Sequence, residues 1–232
     1  MRDISLKDLL EAGCHFGHKA ARWYPKAAEY IFAQREGVHI IDLIKTKARL
    51  EDAGKYLFEL GKSGGTIVFV GAKRQAKLVI EEAAKRSGSY FLTQRWPGGF
   101  LTNFPVMKKN LDRIKEMEVR TQDDKTFTKK ERLLAKREME KLLVLYGGVQ
   151  GLEKAPDAIF VVDIRKFAGA VREATSIGVK LVAITDTNVD PEPVNYPIPA
   201  NDDAVGSIKI IVDYLADCYL EGKSKQEAHD VN

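Results

Sequence analysis

Cysteine is scarce in this chain, with Cys14 and Cys218 the only two in 232 residues and placed near opposite ends. That usage argues against a disulfide framework and a cysteine zinc site, and points to a reducing compartment, the cytoplasm. No run of eighteen apolar residues occurs. The start, MRDISLKDLL, carries Arg2, Asp3, Lys7 and Asp8 where a signal peptide would have an apolar stretch. Neither a membrane span nor a signal peptide is therefore expected. Phosphate loops are missing as well: the turn after the most apolar segment reads Gly71-Ala72-Lys73-Arg74-Gln75, with neither GxGxxG nor GxxxxGK spacing. A dinucleotide or P-loop site is thus disfavoured. Nor is there a strong excess of one charge, since 37 Lys and Arg stand against 33 Asp and Glu.

What is present is an alternation of strand and helix patterns. Ser5 and Asp8 mark a helix start and Gly13 its stop. Tyr30–Arg35 and Val38–Leu43 read as strands around Glu36-Gly37, leading into a helix with Leu50, Ala53, Leu57 and Leu60 on one face that ends at Gly61. Thr66–Gly71 (TIVFVG) is a continuous apolar run, as expected of a strand buried on both faces of a parallel sheet. A helix follows, with Ala76, Val79, Ile80, Ala83 and Ala84 inward and a stop near Gly88. The pattern resumes with AIFVVD at Ala158–Asp163, a helix from Phe167 to Ile177 and the strand KLVAIT. Asp186 to Pro199, with four prolines, reads as an extended connector before a last helix from Asp202 to about Leu220, with frayed residues after Gly222. The fold class is α/β: a doubly wound, mainly parallel, Rossmann-like sheet flanked by helices.

Residues 103–150 interrupt this alternation. Asn103 and Pro105 open one helix, with Met107, Leu111 and Ile114 at helical spacing until TQDDKTF. Thr128 and Glu131 form a capping box for a second, with Ala135, Met139, Leu142 and Tyr146 on one face before Gly147-Gly148. Two helices of this kind joined by a short turn make an antiparallel coiled-coil hairpin, inserted into an α/β domain formed by 1–102 and 151–232. The hairpin holds twelve Lys or Arg and eight Asp or Glu, so the whole net charge of +4 lies there. This favours a polyanionic partner. A dimerising coiled coil is the competing reading.

Three clusters have the composition of an RNA surface, with cations for phosphate and rings for bases. The first is the loop after His15-Phe16-Gly17-His18, with Lys19, Arg22, Trp23 and Lys26; here the alternative is an N-terminal arm whose aromatics pack back on the core. The second is Lys73, Arg74 and Lys77 on the first turns of a helix, where the helix dipole disfavours them and an external anion would relieve that; solvated cations are the alternative. The third is FLTQRWPGGFLTNF at Phe91–Phe104, with Arg95 and Trp96 on a shaped turn; here the alternative is a tryptophan plugging a joint. Lys108, Lys109, Arg113, Lys130 and Arg137 add cations along the hairpin. A metal at Cys14, His15 and His18 is disfavoured because no carboxylate lies nearby in sequence. Asp163 and Asp186 each follow a strand and fall at the edge where an enzyme of this class holds its ligand, yet no nucleophile, general base or phosphate loop accompanies them. No catalytic residue, metal or cofactor is assigned.

The motifs HFGH, YPKA, VHIIDL, VFVGAKRQA, QRWPGGFLTNF, PDAIFVVD, AITDTNVDP and IPANDDA together resemble the bacterial family of small-subunit ribosomal protein two. The resemblance runs nearly end to end. Pro97 departs from it, the family commonly having leucine there. It implies a non-enzymatic, cytoplasmic component of the small ribosomal subunit whose α/β domain and hairpin touch ribosomal RNA late in assembly. The implied partners are small-subunit ribosomal RNA and neighbouring ribosomal proteins, including the large messenger-binding protein one.

Overall fold

The computed structural model describes residues 3–122 and 127–230. In chain order the elements are α1 (Leu6–Glu11), β1 (Phe16–Lys19), β2 (Ile31–Arg35), β3 (Val38–Ile41), α2 (Leu43–Lys62), β4 (Ile67–Val70), α3 (Arg74–Ser87) and β5 (Tyr90–Leu92). They continue with α4 (Phe104–Gln122), α5 (Lys129–Tyr146), β6 (Ala158–Val161), α6 (Ala168–Ile177), β7 (Lys180–Thr185), β8 (Tyr196–Pro199) and α7 (Val205–Asp230). No helix among the described residues is long and apolar enough to cross a membrane.

The main sheet has the order β5-β4-β6-β7-β8, with every pair parallel. Its strands read as unbroken apolar runs because both faces are covered. Ile67, Phe69, Ala158, Phe160, Val182 and Ile184 face a core shared with α2, α3 and α7. The alternate residues Val68, Val70, Ile159, Val161, Leu181 and Ala183 face a second core, shared with α6 and the root of α4 and α5. This is the doubly wound architecture expected from the sequence, and the order reverses between β4 and β6.

Three elements differ from expectation. The segment after Cys14 forms β1, which pairs antiparallel with β3 (Phe16 opposite Ile40) to make a separate three-stranded sheet, β1-β3-β2. Its sequence, FGHK, lacks strand alternation, so pairing with β3 is what orders it. The hairpin joining β2 to β3 turns through Glu36 (φ 50°) and Gly37 (φ 75°), the double positive φ that matches strand twist. The proline-rich connector is in part β8, an edge strand, where missing N–H groups at Pro197 and Pro199 are tolerated. Finally, α7 passes through Gly222 and continues to Asp230. Gly222 lies where α7 crosses α2 so closely that a Cβ would collide with the Phe58 carbonyl oxygen, and Gly61 meets Tyr219 in the same way. These glycines permit backbone contact and do not end a helix.

The helices α4 and α5 form an antiparallel pair: Arg113, midway along α4, bonds Glu138, midway along α5, at 2.6 Å. Leu111, Ile114, Met117 and Ala135 are buried along their single seam. The turn expected at TQDDKTF falls partly on residues outside those described. Overpacking a closed backbone contact costs about 1–3 kcal/mol. Gly222→Ala is therefore expected to lower the unfolding free energy by that amount, read as a shifted urea midpoint with unchanged slope.

Candidate nucleic-acid interface

At the carboxyl edge of the main sheet six side chains converge. Lys73 Nζ lies 2.7 Å from Asp202 Oδ1, 2.8 Å from Asp203 Oδ1 and 3.4 Å from Asp163 Oδ2. His18 Nδ1 is 3.1 Å from Asp186 Oδ1, and its Nε2 is 3.6 Å from Asp203 Oδ2. Asp186, itself buried, accepts from Thr187 N at 2.6 Å and from Asp202 N at 3.4 Å. Burial works against the charge on Lys73, but Asp202, Asp203 and Asp163 outweigh it and raise its pKa. Burial, reinforced by Asp186, pushes Asp202 up to about 7 although Lys73 pulls the other way. The hydrogen bond that His18 donates to Asp186 raises the pKa of the imidazole despite desolvation.

This cluster changes two readings. The anion expected at the start of α3 is internal: Lys73 has no side-chain cap to offer its helix, and its own charge is met by three carboxylates. The edge where a nucleotide would sit is therefore closed by the protein's own charges. The histidine-centred metal set also changes membership. Cys14 is fully buried, which pushes its thiol up to about 11, and the ring of His15 stacks at a tilt on Phe16. His18, Asp186 and Asp202 instead bring one ligand atom each within 4.8 Å of one another and could hold a divalent ion. The cluster also ties the small sheet to the main one. Thr187 Oγ1 accepts from His18 N at 2.9 Å, an approach that Gly17 permits because a Cβ there would come within 2.7 Å of Thr187 Cγ2.

The turn after β5 is built on one carboxylate. Glu173 Oε1 accepts from Trp96 Nε1 at 3.0 Å and from Gly99 N at 2.8 Å. Its Oε2 accepts from Leu101 N at 3.0 Å, Thr102 N at 3.2 Å and Thr102 Oγ1 at 3.3 Å. Burial disfavours the ionised form, but these donors prevail and hold its pKa below the usual carboxylate value. Gly99, at φ 80°, supplies the left-handed step. Trp96 is half-buried and meets Phe100 edge to face, so it serves as a joint while Arg95 beside it is exposed.

Lys19, Arg22 and Trp23 are exposed, and Trp23 meets His39 edge to face. Lys26 is drawn into ion pairs with Asp190 and Glu192. Arg74 is exposed, whereas Lys77 donates to Gln94 Oε1 at 2.9 Å. Along the hairpin Lys109, Lys130 and Arg137 are exposed, Lys108 reaches the Glu153 carbonyl at 3.4 Å, and Arg113 is paired with Glu138. The fold thus gathers Arg74, Lys77 and Arg95 along one edge and leaves the hairpin cations on a separate arm. Arg165, Lys166 and Arg172, all exposed, join that edge after β6. Sequence reasoning missed them, although Arg165 and Lys166 follow a recognised strand directly.

The model of the ribosomal protein S2 family matches residues 9–222. The chain belongs to the ribosomal protein S2 family. Among S2 relatives, one from Dictyoglomus thermophilum is 47% identical over 229 residues, covering 98% of this chain and 93% of its own length. Another, from Dictyoglomus turgidum, is 47% identical over 230 residues, with the same coverage. A third, from Fusobacterium nucleatum, is 46% identical over 225 residues, covering 96% and 91%. All three are named small ribosomal subunit protein uS2. The S2 family is one of structural proteins, not enzymes.

For this S2-family chain, Glu173→Gln is expected to cost about 1–3 kcal/mol at neutral pH, since five donors lose an ionised acceptor. A carboxylate whose pKa is lowered by folding stabilises above its unfolded value, 4.5 here, and less as pH falls through the folded value. The difference between wild type and variant in urea unfolding should be full above pH 4.5 and shrink below it.

Proposed function

We propose that this protein is a structural constituent of the small ribosomal subunit that binds small-subunit ribosomal RNA and supports translation and late subunit assembly in the cytoplasm. The observation that most supports this reading is the match to the S2 family along almost the whole chain, joined to a surface whose free cations suit phosphate. In this reading residues 103–150 are an arm inserted into the α/β body, and Lys109, Lys130 and Arg137 meet RNA backbone along it. Arg74, Lys77 and Arg95 do the same at the sheet edge, with Lys19, Arg22 and Trp23 on the N-terminal loop. Lys73, Lys26 and Arg113 are left out of this surface, because their charges are already matched within the chain.

Neighbouring ribosomal proteins are the second class of partner. Phe16 and Phe32, 50% and 75% exposed, line a groove with Leu10 on the outer side of the small sheet, a surface more suited to protein than to phosphate. The large messenger-binding protein one is among the neighbours this reading includes.

Affinity from phosphate contacts falls steeply with salt, about one unit of logarithmic slope per contact. Binding of the purified chain to small-subunit ribosomal RNA should weaken between low and moderate salt, and Lys109→Ala with Arg137→Ala should flatten the slope by about two units. Filter binding across a salt series measures this; an affinity independent of salt would contradict the phosphate-contact mechanism.

A further inference from the structure

A groove of about 500 Å³ lies between the turn at Arg95–Gly99 and the start of α6, lined by Arg95, Trp96, Lys166, Gly169, Arg172 and Glu173, among others. Its cations lack acidic partners. Among the described residues neither Arg95 nor Arg172 forms an ion pair, and Lys166 Nζ reaches only the Ala72 carbonyl oxygen at 3.4 Å. Glu173 is the one carboxylate of the lining, and both of its oxygens are occupied by donors of the turn. Three positive charges therefore face one negative charge that is already engaged.

The shape is as informative as the charge. Gly169 stands opposite the tryptophan, and a Cβ there would sit in ordinary contact, 3.7 Å from Trp96 Cδ1, so the groove is bounded on this side by Trp96 and the α6 backbone. The first turn of α6 has no side-chain cap, leaving N–H groups available beside the cations. The volume exceeds what a bare phosphate needs and falls within the range of ligand pockets, about 300–1,000 Å³. The Arg95, Lys166 and Arg172 side chains are exposed, which suits a nucleotide still joined to its neighbours better than an enclosed metabolite.

We propose that this groove receives one unstacked nucleotide of small-subunit ribosomal RNA, its phosphate toward Lys166 and Arg172 and its base beside Trp96. The assignment rests on the RNA-binding function above and adds Lys166 and Arg172 to it. Glu173 acts as a positioning residue, fixing the wall that carries Trp96.

The chain has two tryptophans, so Trp23→Phe leaves Trp96 as the only indole, and all comparisons are made in that background. Small-subunit ribosomal RNA is expected to change Trp96 emission. Lys166→Glu with Arg172→Glu is expected to weaken RNA binding by about tenfold or more and to abolish the emission change. Lys7→Glu with Lys55→Glu, the same reversal on α1 and α2 across the sheet, is expected to keep the emission change. Unaltered affinity and emission in the Lys166 and Arg172 variant would overturn the groove while leaving RNA binding intact. Absence of RNA binding by the wild-type chain, with Trp23 intact, would remove the broader function as well. An equal emission change with free 5′-AMP would make this a pocket for free nucleotide and overturn its assignment to RNA.

Discussion

One ammonium group among carboxylates organises the carboxyl edge of this protein. Lys73 Nζ bridges Asp163 after β6 to Asp202 and Asp203 before α7, while His18 joins Asp186 and Asp203 from β1. In doubly wound folds this edge, at the reversal of strand order, is where ligands bind. Here the space is spanned by internal charge pairs that fasten five segments of the chain. A buried pair of this sort contributes through mutual dependence: each charge is tolerable only while its partners stay.

Around these matched charges the chain leaves other cations unpaired at its surface. The two cores hold the sheet rigidly between α2, α3 and α7 on one face and α6 with the hairpin root on the other. On this frame hang the small antiparallel sheet, the Glu173-bound turn and the α4–α5 arm. Each presents cations or rings while its own backbone is anchored elsewhere, and this arrangement suits recognition of a folded polyanion by shape and charge. The same cations divide into two kinds by their partners. Lys73, Lys26 and Arg113 are paired with carboxylates of the chain, whereas Arg95, Arg172, Lys109 and Arg137 form no ion pair among the described residues.

How much of this was legible depends on the range of the interaction. The buried strands at Ile67–Val70, Ala158–Val161 and Lys180–Thr185 were visible as apolar runs. The capping boxes at Ser5 with Asp8 and Thr128 with Glu131 formed as their spacing implied. Those signals span a few residues. The strand at Phe16–Lys19 was invisible because its order comes from pairing with Val38–Ile41, and Pro197 and Pro199 masked an edge strand. Gly222 looked like a helix stop because its neighbour across the crossing, Phe58, is 164 positions away. The Lys73 and Glu173 constellations likewise draw on residues separated by 71 positions or more; single acidic residues after strands hinted at the first, and nothing local marked the second.

We infer that Lys73 serves the fold and is not a contact for an external anion. Lys73→Met, which keeps most of the length of the side chain and removes its charge, tests this most directly by urea unfolding at neutral pH. A loss of about 3–5 kcal/mol is expected, because the buried Asp202 is left without its cation. A variant as stable as the wild type would contradict it.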